Sequence, residues 1–540
     1  MIKQPVVWFS AGLVSLIVMV VAFRQPLSDA AFGITGEEET VGQVRGLVQW
    51  VFGSLRPPLD LDPYAEIDHA SVNPFGINTF LHHEVEVAKR EEQVRLIAEA
   101  GFHWIRQEFP WEDIEIHGRG DFIDRRNDPD GVDAWIKYDN IVDLAEQYDL
   151  EIIARVDNPP AWSRAVGNEM GAFAPPDDFA DFARYAAVLA EHYRGRITYY
   201  QIWNEPNIYP EWGEYDVNPV DYTDLLCQTY RAIKEVNPDA VIITGALAPT
   251  SELSGRDFND FLFLERMYDA GVGDCFDILA MQGYGLWSGP YDRRMRPLVV
   301  NYSRNLYIRD VMVRHGDAHK AIWISEMNWN VAPEDVEPRF GRVSTDQQAR
   351  WATLAYERAE AEWPWMGVVN FWYFKRADDV WLSERRPEAF FQMAEPDFTL
   401  QPVYHSMQDY TAQPGVMGLG SHAADHWVVE RQEIGDTQQT NLRFEGSALS
   451  IRLAEADGCQ VTLRVDGQTI PQIDPCPPEV TWSGLQAEHQ VELTVEGNAR
   501  IERYVVRRGQ AWPYLLPPVL TLIGLVSVGL LRTSRRANSA

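Results

Sequence analysis

The feature that most constrains the fold is an alternation of strand-like and helix-like segments through the middle of the chain. Helical periodicity fills most gaps between the strand-like runs, as in the stretches from Asp133 to Leu150 and from Asp178 to Tyr193. The eight strand-like runs end near Leu81, Glu108, Asp157, Glu205, Ala248, Tyr284, Glu326 and Phe374. Eight strands that alternate with helices over roughly 335 residues predict an α/β domain folded as a (β/α)8 barrel, the TIM barrel.

A doubly wound parallel sheet is the alternative for such an alternation. That fold normally carries a glycine-rich phosphate fingerprint after its first strand, and Gly76-Ile77-Asn78-Thr79 does not match one. In a barrel, the chemistry lies at the mouth, where strands end and the following loops begin. Glu205 ends the fourth run and Glu326 ends the seventh. We therefore expect these two side chains to face each other across the mouth.

Each of these glutamates ends an apolar strand among aromatic residues, in Trp203-Asn204-Glu205-Pro206 and in Trp323-Ile324-Ser325-Glu326. A carboxylate in such a place must be solvated, paired or used, because burying it alone is costly. Glycoside hydrolysis needs one carboxylic acid to protonate the leaving oxygen and one carboxylate to attack the sugar or activate water. A single strand-end glutamate is more often simply solvated, but the pair within a barrel predicts a glycoside hydrolase.

Composition excludes several other classes of protein. The net charge of −33 and the pI near 4.7 argue against binding to a nucleic-acid backbone, which needs a basic surface. The sequence shows neither a His/Cys/Asp cluster for a metal nor a phosphate loop, so we expect no cofactor and no metal. Among the four cysteines, Cys459 and Cys476 are close enough in sequence to bridge, whereas Cys227 and Cys275 are less obviously paired.

Both ends of the chain are apolar. Val6–Phe23 and Tyr514–Leu531 each contain 18 uncharged residues, and at about 1.5 Å per residue each nearly spans a bilayer core of about 30 Å. The first run is an anchor or a signal peptide, and the second is a transmembrane helix; a buried hydrophobic helix is the alternative for either. Arg532, Arg535 and Arg536 place the tail in the cytoplasm. We therefore expect a membrane-anchored protein with an extracytoplasmic catalytic domain.

The regions that flank the barrel differ from it in pattern. Short alternating strands after about residue 412, with turn signals such as Asp466-Gly467, predict a small all-β sandwich without an evident catalytic set. Val41 to Leu55 carries a helical apolar stripe that could lie on a membrane surface, although packing on the barrel is the safer interpretation. The expected organisation is an anchor or signal peptide at 1–31, a linker at 32–69, the barrel at 70–411, the β-sandwich accessory domain at 412–508, a transmembrane helix at 512–531 and a basic tail at 532–540.

Over roughly residues 70 to 411 the chain resembles the clan of retaining (β/α)8-barrel glycoside hydrolases, and most closely its cellulase-like (family 5) and β-xylosidase-like (family 39) members. Trp203-Asn204-Glu205-Pro206-Asn207 matches the clan's strand-four acid/base motif, and Trp323-Ile324-Ser325-Glu326 resembles its strand-seven nucleophile motif. The segments Trp104-Ile105-Arg106, Asp157 to Trp162 and Phe371-Trp372-Tyr373 are similar to those of strands two, three and eight. The resemblance implies a retaining hydrolase of a poly- or oligosaccharide, with Glu205 as acid/base and Glu326 as nucleophile.

The other candidate residues are expected to bind substrate. Arg106 and Tyr284 would hold Glu326 ionised, and Asn204 would hydrogen-bond the sugar 2-hydroxyl. Trp372 offers an apolar face to the sugar, and Trp162, Trp287 and Trp329 could extend that platform or equally pack in the core or rim. His82 and His83 follow strand one and could touch sugar hydroxyls, although a generic loop role is expected of at least one.

Two positions depart from the clan's pattern: Gln282 stands where many members carry His, and Met327-Asn328 replaces a more usual pair. These departures bear on the exact family and the sugar, not on the two glutamates. A catalytically degenerate, membrane-tethered carbohydrate-binding protein and a transglycosylase with the same site are the alternatives. The linkage, endo or exo action, protein partners and oligomeric state do not follow from the sequence.

Overall fold

A computed structural model describes residues 24–454, 459–470 and 477–509. Its largest part is a parallel eight-stranded sheet in the order β5-β4-β3-β2-β1-β8-β7-β6. Isolated bridges between Ile243 and Ile278 and between Leu247 and Met281 join β5 to β6, so the barrel is nearly closed. The strands are β1 Phe75–Thr79, β2 Trp104–Glu108, β3 Glu151–Val156, β4 Tyr199–Ile202, β5 Val241–Ile243, β6 Leu279–Gln282, β7 Ile322–Met327 and β8 Met366–Phe371.

A helix of ten or more residues follows each barrel strand within the described ranges, which confirms the predicted (β/α)8 architecture. These helices are α3 Val87–Glu99, α4 Ile136–Gln147, α5 Phe179–His192, α6 Pro219–Val236, α7 Asp260–Asp269, α8 Asn305–Arg314, α9 Thr345–Glu362 and α10 Pro402–Thr411. Four of these eight helices start with a side-chain cap: Asp178, Asn218 and Asn259 each accept from a backbone N–H, and Ser344 forms a capping box with Gln347. The doubly wound alternative is thereby excluded.

Shorter elements lie in the loops of the barrel. Two short strands, Ile123–Asp124 and Val132–Asp133, pair in an antiparallel hairpin. Short helical turns lie at Leu81–His83, Trp111–Ile114, Ala161–Ser163, Val272–Asp274, Tyr302–Arg304, Val380–Ser383 and Pro387–Phe391. A disulfide joins Cys227 of α6 to Cys275 just before β6. The less obvious of the two cysteine pairs is therefore bonded, while Cys476 lies outside the described residues.

The C-terminal region is an antiparallel β domain, as predicted, but its strands form one hydrogen-bonded sheet rather than the two separate sheets of a sandwich. The order is β9-β15-β11-β14-β12-β13, with β10 paired to β11. The strands are β9 Gly420–Ala423, β10 Glu430–Ile434, β11 Thr437–Ala454, β12 Gln460–Val465, β13 Gln468–Thr469, β14 Glu479–Glu496 and β15 Arg500–Arg507. The two longest strands pair along nearly their whole length, with a register shift between Gly446 and Ala448, and so connect every part of the domain.

A helical hairpin precedes the barrel, formed by α1 Arg24–Thr35 and α2 Thr40–Gly53. It docks on the loop between β6 and α8, where the N–H of Gly289 donates to the carbonyl of Gly36 (2.8 Å) and the N–H of Arg293 donates to that of Ile34 (2.9 Å). The predicted helix at Val41 to Leu55 is therefore present, but its apolar stripe does not pack on the barrel and faces outward instead.

The predicted segments Val6–Phe23 and Tyr514–Leu531 lie outside the described residues. Of the helices that the structure describes, none is both long enough and apolar enough to cross a bilayer. The terminal membrane segments therefore stay predictions from the sequence.

Candidate active site

Glu326 lies on β7, almost fully buried at the mouth of the barrel, and both of its carboxyl oxygens are bound. Arg106 Nη1 donates to Oε1 (3.0 Å), and the Tyr284 hydroxyl donates to Oε2 (2.7 Å). Arg106 comes from β2, and Tyr284 follows β6 by two residues. The barrel therefore brings together three side chains that are far apart in sequence, and the two donors leave Glu326 equipped to carry a negative charge.

Arg106 is itself held by a network of amides. Its Nε donates to Gln201 Oε1 (2.6 Å), its Nη1 also donates to Asn78 Oδ1 (2.8 Å), and its Nη2 donates to Asn204 Oδ1 (2.8 Å). Since these acceptors lie on β1 or on and just after β4, on both sides of β2, the guanidinium has little freedom to move. The bond to Asn204 also fixes the orientation of that amide beside Glu205.

Glu205 follows β4 and accepts a hydrogen bond from Gln282 Nε2 (3.0 Å). Burial raises the pKa of Glu205 well above the usual carboxyl range, and the nearby carboxylates of Glu326 and Glu211 raise this pKa further. Gln282 and Glu326 stand opposite each other in the β6–β7 register. The nearby Glu326 thus contributes to an environment in which Glu205 stays protonated to a higher pH than an ordinary carboxyl.

The backbone around Glu205 is strained. Trp203 has a φ of 76° and Glu205 a φ of 23°, a region that side chains with a Cβ rarely adopt. The indole N–H of Trp203 donates to the carbonyl of Glu211 (2.8 Å), which ties the loop back onto the strand end. This bend turns Glu205 toward the mouth rather than along the continuing strand direction.

Three further carboxyl groups surround the pair, and sequence reasoning gave none of them a role. Arg155 forms ion pairs with Glu108 (2.6 Å) and with Asp157 (2.8 Å), and its pairing with Glu108 helps lower the pKa of Glu108 to about 2 despite its burial. Burial raises the pKa of Asp157 well above its ordinary value, and the nearby Glu108 raises it further against the opposing effect of Arg155. Burial also raises the pKa of Glu211, which hydrogen-bonds Asn204.

Two of the predicted sugar-contacting residues remain in reach of a ligand. Trp372 is partly exposed at the end of β8, next to Phe80 at a ring-centroid distance of 5.5 Å in an edge-to-face contact. His83 is exposed and stacks on the same Phe80 ring. Partial desolvation of the ring, with a smaller effect of the nearby Arg376, lowers the pKa of His83. His82, by contrast, is buried against Gln107, and burial lowers the pKa of His82 to about 3.

The other tryptophans differ in accessibility. Trp329 is fully buried, and its indole N–H donates to the carbonyl of Ser288 (2.9 Å), so it presents no face to a sugar. Trp162 is partly buried against Trp111 and donates to the carbonyl of Glu115 (2.9 Å). Trp287 is 61% exposed on the loop after β6. In sequence these residues look alike, because an aromatic residue near a strand end fits the barrel wall as well as the mouth.

No group of three or more His, Cys, Asp or Glu side chains suited to a metal ion occurs within the described ranges. Among the residues that sequence reasoning missed, Gln201, Asn78 and Glu211 lack any local signal. Asn78 ends a strand next to the mouth and Gln201 lies inside β4, whereas Glu211 is in a loop. Only the three-dimensional closure of the barrel brings them to Arg106 and Asn204.

Comparisons with known proteins give the site a family context. Residues 65–269, less than half of the chain, match the model of the cellulase family, glycosyl hydrolase family 5. A cyanidin 3-O-glucoside 7-O-glucosyltransferase (acyl-glucose) from Delphinium grandiflorum is 25% identical over 180 residues, which cover 31% of this chain and 33% of that protein. The chain thus spans about a third of the length of this relative.

Two solved structures of family 39 are also similar to this chain. A family 39 glycoside hydrolase from Bacteroides cellulosilyticus WH2 superposes with a TM-score of 0.48 at 17% identity, covering 79% of this chain and 82% of that one. A family 39 β-xylosidase from Caulobacter crescentus gives a TM-score of 0.46 at 15% identity, covering 82% of this chain and 99% of the other. By the family match, residues 65–269 resemble a cellulase-type glycoside hydrolase domain.

Proposed function

We propose that the protein is a membrane-anchored, retaining glycoside hydrolase that cleaves O-glycosidic bonds of a poly- or oligosaccharide by double displacement. Glu205 is the acid/base and Glu326 the nucleophile. The observation that carries this proposal is the contrast between the two carboxyls. Glu326 accepts hydrogen bonds from Arg106 and Tyr284 on both oxygens, while burial and neighbouring carboxylates raise the pKa of Glu205. Such divergent environments are the usual basis for separate acid and nucleophile roles.

In the first step, Glu326 attacks the anomeric carbon and forms a covalent bond to it, while the bond from that carbon to the leaving oxygen breaks. Protonated Glu205 donates its proton to this oxygen and becomes a carboxylate. Gln282 keeps its donor toward Glu205 Oε1, which leaves the other oxygen free for the proton transfer. Arg106 and Tyr284 stabilise Glu326 before the attack and stabilise it again when it leaves.

In the second step, Glu205 takes a proton from water, and the water oxygen bonds to the anomeric carbon as Glu326 departs. The product keeps its anomeric configuration because the carbon is inverted twice. Asn204, oriented by Arg106, donates toward the sugar 2-hydroxyl, and Trp372 supplies an apolar face for the sugar ring. His83 stays a candidate contact at the rim.

The membrane part of the proposal rests on the two uncharged terminal runs and on the disulfide. Val6–Phe23 and Tyr514–Leu531 each have about the length that a bilayer requires. The Cys227–Cys275 bond lies in the barrel itself, and disulfides persist in oxidising compartments outside the cytoplasm. Both observations favour an anchored enzyme whose catalytic domain is extracytoplasmic.

The direct test is hydrolysis of a panel of aryl glycosides and polysaccharides, with product configuration read by proton NMR. Glu326→Gln should lower kcat on every hydrolysed substrate by roughly 10⁴-fold or more, because an amide cannot form the glycosyl ester. Glu205→Ala should affect poor leaving groups far more than activated ones, by roughly 10²-fold to 10⁴-fold, because only the former need protonation. Equal losses on both classes, or inverted product, would contradict the assigned roles.

Glycosyl transfer is the second candidate function. The site is chemically the same, and only the acceptor that resolves the glycosyl–Glu326 bond differs. The similarity to a glucosyltransferase that uses acyl-glucose favours a test of this alternative. Adding alcohols or oligosaccharides as acceptors to the hydrolysis assay and quantifying the transfer products would decide between the two functions.

A further inference from the structure

The outward side of α2 is an apolar stripe with no covering element. Its residues Val41, Val44, Val48, Val51 and Phe52 are between 52% and 82% exposed. At about 100° per residue they fall within an arc of about 100° on one side of the helix. Leu55, which is 77% exposed, follows on the same side. These six residues are called the outer stripe below.

The outer stripe is unusual for this chain. Charged residues make up 24% of the whole sequence, yet α2 contains only one, Arg45. Scattered exposed apolar side chains are normal, whereas a contiguous apolar stripe on a surface marks a site of interaction with a protein or a membrane. The outer stripe therefore needs an apolar partner.

The orientation of α2 is fixed by its inner side, so the stripe cannot turn inward. Gln43 donates to the carbonyl of Ser28 on α1 (3.0 Å), and Gln49 accepts from Arg294 (3.1 Å). A Cβ at Gly46 would lie 2.7 Å from Cγ2 of Thr35, so only glycine lets the two helices approach this closely. The small and polar residues of α2 therefore face the protein, and its apolar residues face outward.

We propose that the outer stripe lies in the surface layer of the bilayer to which the protein is anchored, an inference that rests on the proposed membrane anchoring. Val6–Phe23 ends directly before α1. The 12 residues of α1 extend only about 18 Å, so a spanning segment at 6–23 would hold α2 beside the lipid. That segment would itself be immersed in lipid and could not cover the stripe. Lipid is then the nearest apolar phase.

The chemistry of the contact follows from the composition of α2. With one cation on the helix and a strongly acidic chain around it, attraction to anionic lipid headgroups cannot hold the stripe. Burial of valine and phenylalanine side chains among acyl chains is the driving force. The contact should therefore form on uncharged phosphatidylcholine and should not weaken when the salt concentration is raised.

The experiment uses the full chain reconstituted in phosphatidylcholine vesicles, with an environment-sensitive nitrobenzoxadiazole label on a single introduced cysteine. The described residues contain no free cysteine that would compete for the label. Val48→Cys and Phe52→Cys report on the outer stripe. Trp50→Cys is the matched control, being exposed on the opposite side of the same helix, and Leu485→Cys is an exposed apolar control in the β domain. A spin-labelled phosphatidylcholine serves as the quencher.

We expect labels at 48 and 52 to shift to shorter wavelength and to be quenched about twofold or more by the lipid-borne spin label, with little effect at 50 and 485. A wavelength shift without lipid quenching would mean that protein covers the stripe, either residues 6–23 or a second copy, and would overturn the proposal. Unshifted emission would overturn it too. Flotation of the vesicles with the unlabelled protein reports on the anchoring separately: a protein that floats with an unquenched stripe refutes this proposal alone.

Discussion

At the scale of single residues, the site is organised around charge. Five carboxyl groups meet at the mouth, where Arg106 donates to Glu326 and three amides and Arg155 pairs with two of the carboxylates. Glu326 accepts hydrogen bonds from Arg106 and Tyr284, whereas burial and neighbouring carboxylates favour the neutral form of Glu205. Glu211, which had no role in the sequence analysis, adds to this effect through its proximity to Glu205.

A pH profile tests this electrostatic arrangement. Because the pKa of Glu205 is raised, its protonated form should persist to a higher pH than an ordinary carboxyl, and kcat/KM should fall as the pH rises through that pKa. Glu211→Gln removes one negative neighbour, so the alkaline limb should move to lower pH by about one unit. Glu214→Gln, an exposed carboxyl of the same loop paired with Arg256, is the control and should leave the limb in place. An alkaline limb that stays in place in Glu211→Gln would refute the proposed effect of Glu211 on the pKa of Glu205.

The site was partly predictable from the sequence. Arg106 and Tyr284 do contact Glu326, as predicted from their places at the ends of strands two and six, and the family pattern also names the arginine. Trp329 was not separable from Trp372, because periodicity does not tell which side of a short strand end faces the mouth. Gln201, Asn78 and Glu211 are positioned by contacts between strands that no local pattern encodes.

At the scale of elements, a polar contact between two helices of the barrel wall makes the stability of the fold depend on pH. Glu360 of α9 accepts a hydrogen bond from the Tyr410 hydroxyl of α10 (2.9 Å) beside the β domain. Burial raises the pKa of Glu360 to about 8. A carboxyl that is protonated in the folded state and ionised in the unfolded one makes stability depend on pH.

The sign of this dependence is fixed by the raised pKa. The contribution of Glu360 is fully present below the ordinary carboxyl pKa and is lost as pH rises toward about 8. Because the side chain is partly exposed, we expect a discounted effect: between pH 5 and 8 the unfolding free energy should fall by about 1 to 2 kcal/mol more in the wild type than in Glu360→Gln. Denaturant titrations at several pH values measure this, and parallel curves would show that Glu360 is ionised in the folded protein.

The disulfide between Cys227 and Cys275 is a second contribution to stability at the scale of elements. It joins two cysteines 48 residues apart, and so links α6 to the segment that leads into β6. Replacing both cysteines with alanine should lower the unfolding free energy by about 3 kcal/mol, because the unfolded chain regains its freedom. Thermal unfolding of the double variant should show a lower Tm, and reductant should not lower it further through this bond. An unchanged Tm would mean that the bond constrains little.

The elements themselves were largely predictable, and their partners were not. Periodicity identified the barrel strands and helices because each element buries one face. The pairing of Cys227 with Cys275, the single sheet of the β domain and the outward side of α2 all depend on contacts between distant segments. The apolar stripe of α2 predicted a helix correctly and suggested the wrong partner for it.

At the scale of the whole molecule, the proposed topology places the barrel and the β domain outside the cytoplasm. Protease added to intact cells should release a fragment that contains the barrel, since two terminal spans leave everything between them on the outer side. Immunodetection of the fragment measures this, and a cytoplasmic protein that stays intact serves as the control. A barrel protected until the membrane is lysed would invert the topology.

The docking of the α1–α2 hairpin also defines where a shortened, freely diffusing form of this enzyme could begin. The family match starts at residue 65, but the folded unit reaches back to α1. A chain that began at residue 65 would lose two hydrogen bonds, one from the buried Arg294 to Glu37 and one from the Trp351 indole to Glu38. It would also expose the loop between β6 and α8. That loop starts at Tyr284, so a truncation chosen by family boundaries would loosen the segment that carries a hydrogen-bond donor to Glu326.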